Sequence, residues 1–227
     1  MLNDAGISVL LDLHAAPGAQ VANNAFAGRC VDNPGFWNQA NFDRMVAAAR
    51  QLVNVVHTDS ASFGSVYSIE ALNEPPTDGN ATPGYQNFLS QFVAAVRDEE
   101  SKLGVPSNQA LATMFMDNSW QWQNHQVNPA DVANGPAAYD THLYYSFGAP
   151  CGAQGCVTAD QNSHVNFACS AGGGRLGDDS NNRNLPLVLG EWFVVCFPII
   201  FFILTLVELQ VVDRTTRHCE RQRPGLL

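Results

Sequence analysis

Val66-Tyr67-Ser68-Ile69-Glu70-Ala71-Leu72-Asn73-Glu74 is apolar over most of its length and closes on an amide and a carboxylate. Such a run fits a parallel strand buried on both faces, and a charge at its end is tolerable only where the strand opens onto a polar mouth. Outward from it, Ile7-Ser8-Val9-Leu10-Leu11-Asp12-Leu13-His14 repeats the pattern and ends on a histidine. Between the two, Phe42, Met45, Val46, Ala49, Leu52, Val53 and Val56 recur at helical spacing, which predicts an amphipathic helix from about Asn38 to His57. A second helix is predicted from Thr82 as its cap, with Pro83 at its first position. Tyr85, Phe88, Leu89, Phe92, Val93 and Val96 form its stripe and Gly104 stops it. Further strands are predicted over residues 109–117 and 138–145. A long loop to about residue 184 then leads into Leu185-Pro186-Leu187-Val188-Leu189-Gly190-Glu191.

Apolar strands alternating with helices predict an α/β fold with a parallel sheet. His14, Asn73, Glu74, His142, Tyr144 and Glu191 fall at the last positions of different strands. In a closed barrel those ends converge on one mouth. An open dinucleotide-binding sheet would want a glycine-rich phosphate turn after its first strand, and His14-Ala15-Ala16-Pro17-Gly18 is not one. The reading is a partial (β/α)8 TIM barrel of five strands.

Composition narrows the partners. With 46% hydrophobic and 14% charged residues, the 227-residue chain has the make-up of a packed globular core. A formal charge of -10, with Lys102 the single lysine, excludes the basic stripe that a nucleic-acid backbone requires. A neutral ligand fits better. Cysteines at 30, 151, 156, 169, 196 and 219 match no zinc spacing and read as disulfides of an oxidising compartment, with Cys156 and Cys169 a plausible pair. Asn80-Ala81-Thr82 is a glycosylation sequon consistent with that compartment, although the N-terminus as written shows no signal peptide.

Glu74 and Glu191 stand out as carboxylates at the ends of apolar strands. Hydrolysis of a glycosidic bond needs one carboxylic acid to protonate the leaving oxygen and one carboxylate across the anomeric carbon. Two facing carboxylates resist simultaneous ionisation, which keeps one of them an acid. No metal or cofactor is called for. Trp120, Trp122, Tyr145, Phe147 and Trp192, near strand ends, suit stacking on sugar rings or core packing equally. Asp12 reads as structural, pointing away from the mouth if His14 points into it.

Leu11-Asp12-Leu13-His14-Ala15-Ala16-Pro17-Gly18, Leu72-Asn73-Glu74-Pro75, Asp140-Thr141-His142-Leu143-Tyr144 and Gly190-Glu191-Trp192, in this order, resemble glycoside hydrolase family 5. The likeness is to its fungal β-glucanases of the exo-β-1,3-glucanase type and covers about residues 1 to 192. It implies strands three to seven of a barrel, lacking the first two and the last. It also implies a retaining, double-displacement hydrolysis of β-1,3- or β-1,6-glucan by a monomer, outside the cell or in its wall. Glu74 would be the acid/base and Glu191 the nucleophile, at the roughly 5 to 5.5 Å separation of retaining enzymes. Asn73 would hold the sugar 2-hydroxyl, His14, His142 and Trp192 would line the substrate site, and Tyr144 would hydrogen-bond the nucleophile. The family pattern also asks for an arginine on strand two and a tryptophan on strand eight, and neither strand is read in this chain.

Beyond residue 192 the character changes. Residues 1–192 carry 7 basic and 18 acidic residues, whereas 193–227 carry 4 and 3 and open on the apolar run 193–207. That run is short for a membrane span and holds Pro198. A tail of mistranslated sequence or a truncated gene model is the preferred expectation, with an inactive fragment. A carbohydrate-binding fragment and a tail-anchored membrane protein are the alternatives.

Overall fold

The computed structural model describes residues 2–116, 132–144 and 185–193. Trp120, Trp122, Tyr145, Phe147, the Cys156–Cys169 pairing and the tail from 194 lie outside them, as do the side chains of Leu143, Tyr144, Trp192 and Phe193. The described residues form two compact units, divided between Ala137 and Ala138.

In the first unit β1 (Val9–Asp12), β2 (Val66–Glu70) and β3 (Ala112–Met116) lie parallel. β1 is paired to β2 through Leu11 and Ile69, and β2 to β3 through Ile69 and Thr113. Each crossover carries a long helix, α1 (Gln39–Thr58) and α3 (Tyr85–Leu103), with the short α2 (Ser60–Phe63) leading into β2. Parallel neighbours require such crossovers, and the helices cover the apolar strands. Asn38 caps α1 by accepting from Asn41 N–H, and Phe42, Met45, Ala49, Val53 and Val56 are its buried stripe. The predicted Val46 and Leu52 lie at the edge of that stripe, half-buried.

α3 begins later than the sequence suggests. Thr82 does not cap it: its hydroxyl donates to Asp78 O, while Asp78 caps a single 3-10 turn over Gly79–Ala81. The helix starts behind Gly84, whose φ of 78° a residue with a side chain rarely adopts, and whose missing Cβ lets Phe42 of α1 come close. Gly104 ends it as predicted, in the left-handed conformation, with its N–H returned to Glu100 O and Ser101 O. Phe36, Trp37, Phe42, Tyr85 and Phe88 pack mostly edge to face between the α1 and α3 starts, with Phe36 fully buried.

The strands are shorter than predicted at both site-bearing ends. β1 stops at Asp12 and β2 at Glu70, short of His14 and of Asn73 and Glu74. The chain leaves the ladder gradually, with Ala71 N–H still donating to Met114 O and Asn73 N–H to Leu13 O. The second unit holds β4 (Ala137–Tyr144, its first residue in the first unit) and β5 (Leu187–Phe193), again parallel. Among the described residues no helix is long and apolar enough to cross a membrane.

Candidate active site

In the first unit, His14, Asn73 and Glu74 are brought to neighbouring strand ends. His14 is buried, and its Nδ1 meets Asp12 Oδ2 at 2.5 Å while its ring lies edge-on to Phe26. This corrects the reading of Asp12. Residues two apart in an extended chain project to the same side, so Asp12 and His14 share a face and Asp12 is the orienting partner of the imidazole. An ionised carboxylate only accepts, which puts the proton on Nδ1 and leaves Nε2 as the other ring nitrogen.

Asn73 is almost wholly buried, and its side-chain Oδ1 finds no hydrogen-bond partner among the described residues. Glu74 is half-buried at φ 36°, a left-handed conformation costly for a residue with a side chain, and it is followed by Pro75 and Pro76. Gln20, not singled out in the sequence, is fully buried and donates to both His14 O and Asn73 O.

In the second unit, the pairing of β4 with β5 contains an irregularity. Thr141 is opposite Leu189 but His142 is opposite Glu191, so Gly190 is an extra residue. Were the pairing regular, Gly190 would stand beside His142 and Glu191 beside Leu143, facing away from His142, because a one-residue slip reverses every side chain. With Gly190 as the extra residue, His142 Nδ1 is 3.5 Å from Glu191 Oε2, and His142 Nε2 is 3.7 Å from Asp140 Oδ2. His142 and Asp140 are buried and Glu191 is partly open. Gly190 N–H donates to Asp140 Oδ1 at 2.8 Å, and a Cβ on Gly190 would fall inside that carboxylate.

The sequence reading missed Asp140 and the use of Gly190, although a glycine inside a strand pattern is itself the signal of a bulge. Tyr144 and Trp192 take their places on β4 and β5, opposite Phe193 and Leu143. Cys30 is disulfide-bonded, as the cysteine pattern led one to expect.

No protein-family model matches the sequence. The chain is 29% identical over 191 residues to glucan endo-1,6-beta-glucosidase B of Emericella nidulans, covering 84% of this chain and 42% of that protein. It is 32% identical over 191 residues to the probable glucan 1,3-beta-glucosidase A of Aspergillus clavatus, covering 83% and 39%. The chain therefore spans less than half the length of these relatives. Among solved structures, that of AoRut aligns with a TM-score of 0.55 at 19% identity, over 84% of this chain and 49% of its own. The endoglucanase Cel5A of Pseudomonas stutzeri aligns with a TM-score of 0.52 at 17% identity, over 84% and 52%. Over most of its own length the chain is a homologue of the fungal glucan β-glucosidases, folded as part of a (β/α)8 barrel.

Proposed function

We propose that the chain carries the two carboxylates of a retaining glycoside hydrolase acting on β-1,3- or β-1,6-glucan. Glu191 attacks the anomeric carbon and the leaving oxygen takes the proton of Glu74, giving a glucosyl ester on Glu191. Water, deprotonated by Glu74, then attacks the same carbon and frees Glu191. The observation that supports this best is the Gly190 bulge, which spends a ladder position to turn Glu191 onto the His142 face. Such devices cluster where a side chain is re-aimed for chemistry.

Asn73, with its buried Oδ1, accepts from the sugar 2-hydroxyl, a bond that tightens as the oxocarbenium-like transition state forms. His14 and His142 line the first subsite, Trp192 binds substrate by stacking on a sugar ring, and Tyr144 hydrogen-bonds the nucleophile. The disulfide at Cys30 supports an oxidising compartment, outside the cell or in its wall. Residues 1–192 act as the catalytic part and 193–227 as a non-family tail.

The test uses 2,4-dinitrophenyl 2-deoxy-2-fluoro-β-glucoside, which forms the glycosyl ester readily and loses it slowly. Intact mass should rise by one fluoroglucosyl group, and peptide mapping should place it on Glu191. Labelling elsewhere, or undiminished labelling of Glu191→Gln, would refute the assignment. A crystal structure should find the two carboxyl groups roughly 5 to 5.5 Å apart.

A further inference from the structure

Gln20 lies in the loop after β1 and takes no part in the chemistry above, yet among the described residues its buried amide is fully engaged in hydrogen bonds. Its side chain is fully buried. Nε2 donates to His14 O at 2.9 Å and to Asn73 O at 3.0 Å, and Oε1 accepts from Ala16 N–H at 3.1 Å. Two carbonyls on one end and an N–H on the other fix which end is nitrogen, so the amide cannot be flipped without losing all three bonds. The backbone of Gln20 is held as well: its carbonyl accepts from Trp37 Nε1 at 3.0 Å, and Trp37 is packed edge to face on Phe36 and Tyr85.

The two carbonyls that Gln20 ties together belong to the ends of different strands. Asn73 O is the carbonyl of the peptide that joins Asn73 to Glu74, and Glu74 takes up its strained φ of 36° about the nitrogen of that same peptide. A strained backbone persists only where its surroundings over-determine it. The Asn73 N–H bond to Leu13 O, at 3.4 Å, is long and belongs to the preceding Leu72–Asn73 peptide, so it does not set the plane of the Asn73–Glu74 peptide. We propose that Gln20 is a positioning residue for Glu74: by holding the Asn73–Glu74 peptide plane against the end of β1, it aims the carboxyl group that protonates the leaving oxygen. The inference rests on the acid/base reading of Glu74.

The test exploits the need for a proton. A phenyl glucoside expels a basic phenolate and needs the acid, whereas a 2,4-dinitrophenyl glucoside expels a stable anion without help. The 227-residue chain is assayed in excess over each substrate, so that slow formation of the glycosyl ester is read directly. Gln20→Met keeps the length and removes both donors. It should lower the rate on the phenyl glucoside at least tenfold more than on the dinitrophenyl glucoside, as Glu74→Gln should. Gln20→Glu, which keeps an acceptor for Ala16 N–H but offers no donors, should show the same split and serves if Gln20→Met does not fold.

Equal losses on both substrates, with Glu74→Gln still discriminating, would overturn the positioning role and leave the reading of Glu74 intact. Failure of Glu74→Gln itself to discriminate would overturn both. Failure of both Gln20 variants to fold would assign Gln20 to stability and overturn the inference.

Discussion

Asp140 and Gly190 are joined across neighbouring parallel strands by a hydrogen bond from a backbone N–H that the ladder cannot use. Two substitutions separate the parts of this arrangement. Asp140→Asn keeps an acceptor for Gly190 N–H and should fold with little loss. Asp140→Leu leaves that donor unsatisfied and should cost about 1–3 kcal/mol in urea unfolding. Gly190→Ala has no room for its methyl group and should abolish fluoroglucosyl labelling of Glu191, because the bulge that turns Glu191 toward His142 cannot form. Normal labelling of Gly190→Ala would show that the bulge is not what presents Glu191.

The Asp12–His14 pair fixes a tautomer. In the unsubstituted protein, 15N-resolved NMR of the imidazole should find the His14 proton on Nδ1, the nitrogen that faces Asp12. Asp12→Ala removes the acceptor, and a mixture of the two tautomers should replace the single form. An unchanged spectrum would show that another partner orients the ring.

Glu100 is a buried charge with assigned duties. Its Oε1 accepts from Leu111 N–H at 2.6 Å and its Oε2 from Arg97 Nη1 at 2.5 Å, while Arg97 Nη2 reaches Leu111 O and Pro136 O. Glu100→Ala takes the carboxylate from Arg97 Nη1 and the acceptor from Leu111 N–H together, and should destabilise by about 3–5 kcal/mol. Glu100→Gln keeps the acceptor for Leu111 and should cost distinctly less. Chemical denaturation of the two variants side by side checks the order.

Between α1 and α3, Asn54 Nδ2 donates to Glu99 Oε1. That bond, which favours the ionised form, is the largest cause holding the Glu99 carboxyl below its ordinary value, with Lys102 and Arg50 adding to it against a partial opposing effect of burial. A carboxylate with a depressed folded-state pKa contributes stability above its unfolded pKa and loses it as pH falls through the folded value. Asn54→Ala should therefore raise the Glu99 midpoint in an NMR titration. Its stability deficit relative to the parent should shrink as acid protonates Glu99 in both proteins. A deficit independent of pH would assign the effect to packing instead.

Much of the fold was legible because the apolar pattern is strong where packing decides it. The spacing of Phe42, Met45, Ala49, Val53 and Val56 locates α1 to within a residue, and Gly104 ends α3 for the reason its chemistry suggests. Thr82-Pro83 misled because Asp78, a competing cap upstream, takes the preceding turn and leaves the start of α3 to Gly84. Strand ends were overextended for a different reason. Apolar residues such as Ala71 and Leu72 remain buried after the regular ladder stops, and periodicity cannot see where hydrogen bonding becomes irregular. The residues of the proposed site stand out by type, whereas the residues that support them do not. Gln20 and Asp140 act through backbone groups far along the chain, at Asn73 and Gly190, and such partners emerge only in three dimensions.

The ladders described above also set the order in which the molecule can be assembled. Val9 pairs with Val66 and Tyr139 with Leu187, so neither parallel pair is available until the whole intervening crossover has been made. α1 and α3 need only local contacts and form on the timescale of helix growth, while each strand pairing must first close a long loop. During synthesis the apolar Val9-Leu10-Leu11 segment therefore emerges well before Val66 and waits without its neighbour. Its exposure time is set by elongation rate rather than by the intrinsic speed of folding, which makes the pace of the ribosome a determinant of how much chain escapes aggregation.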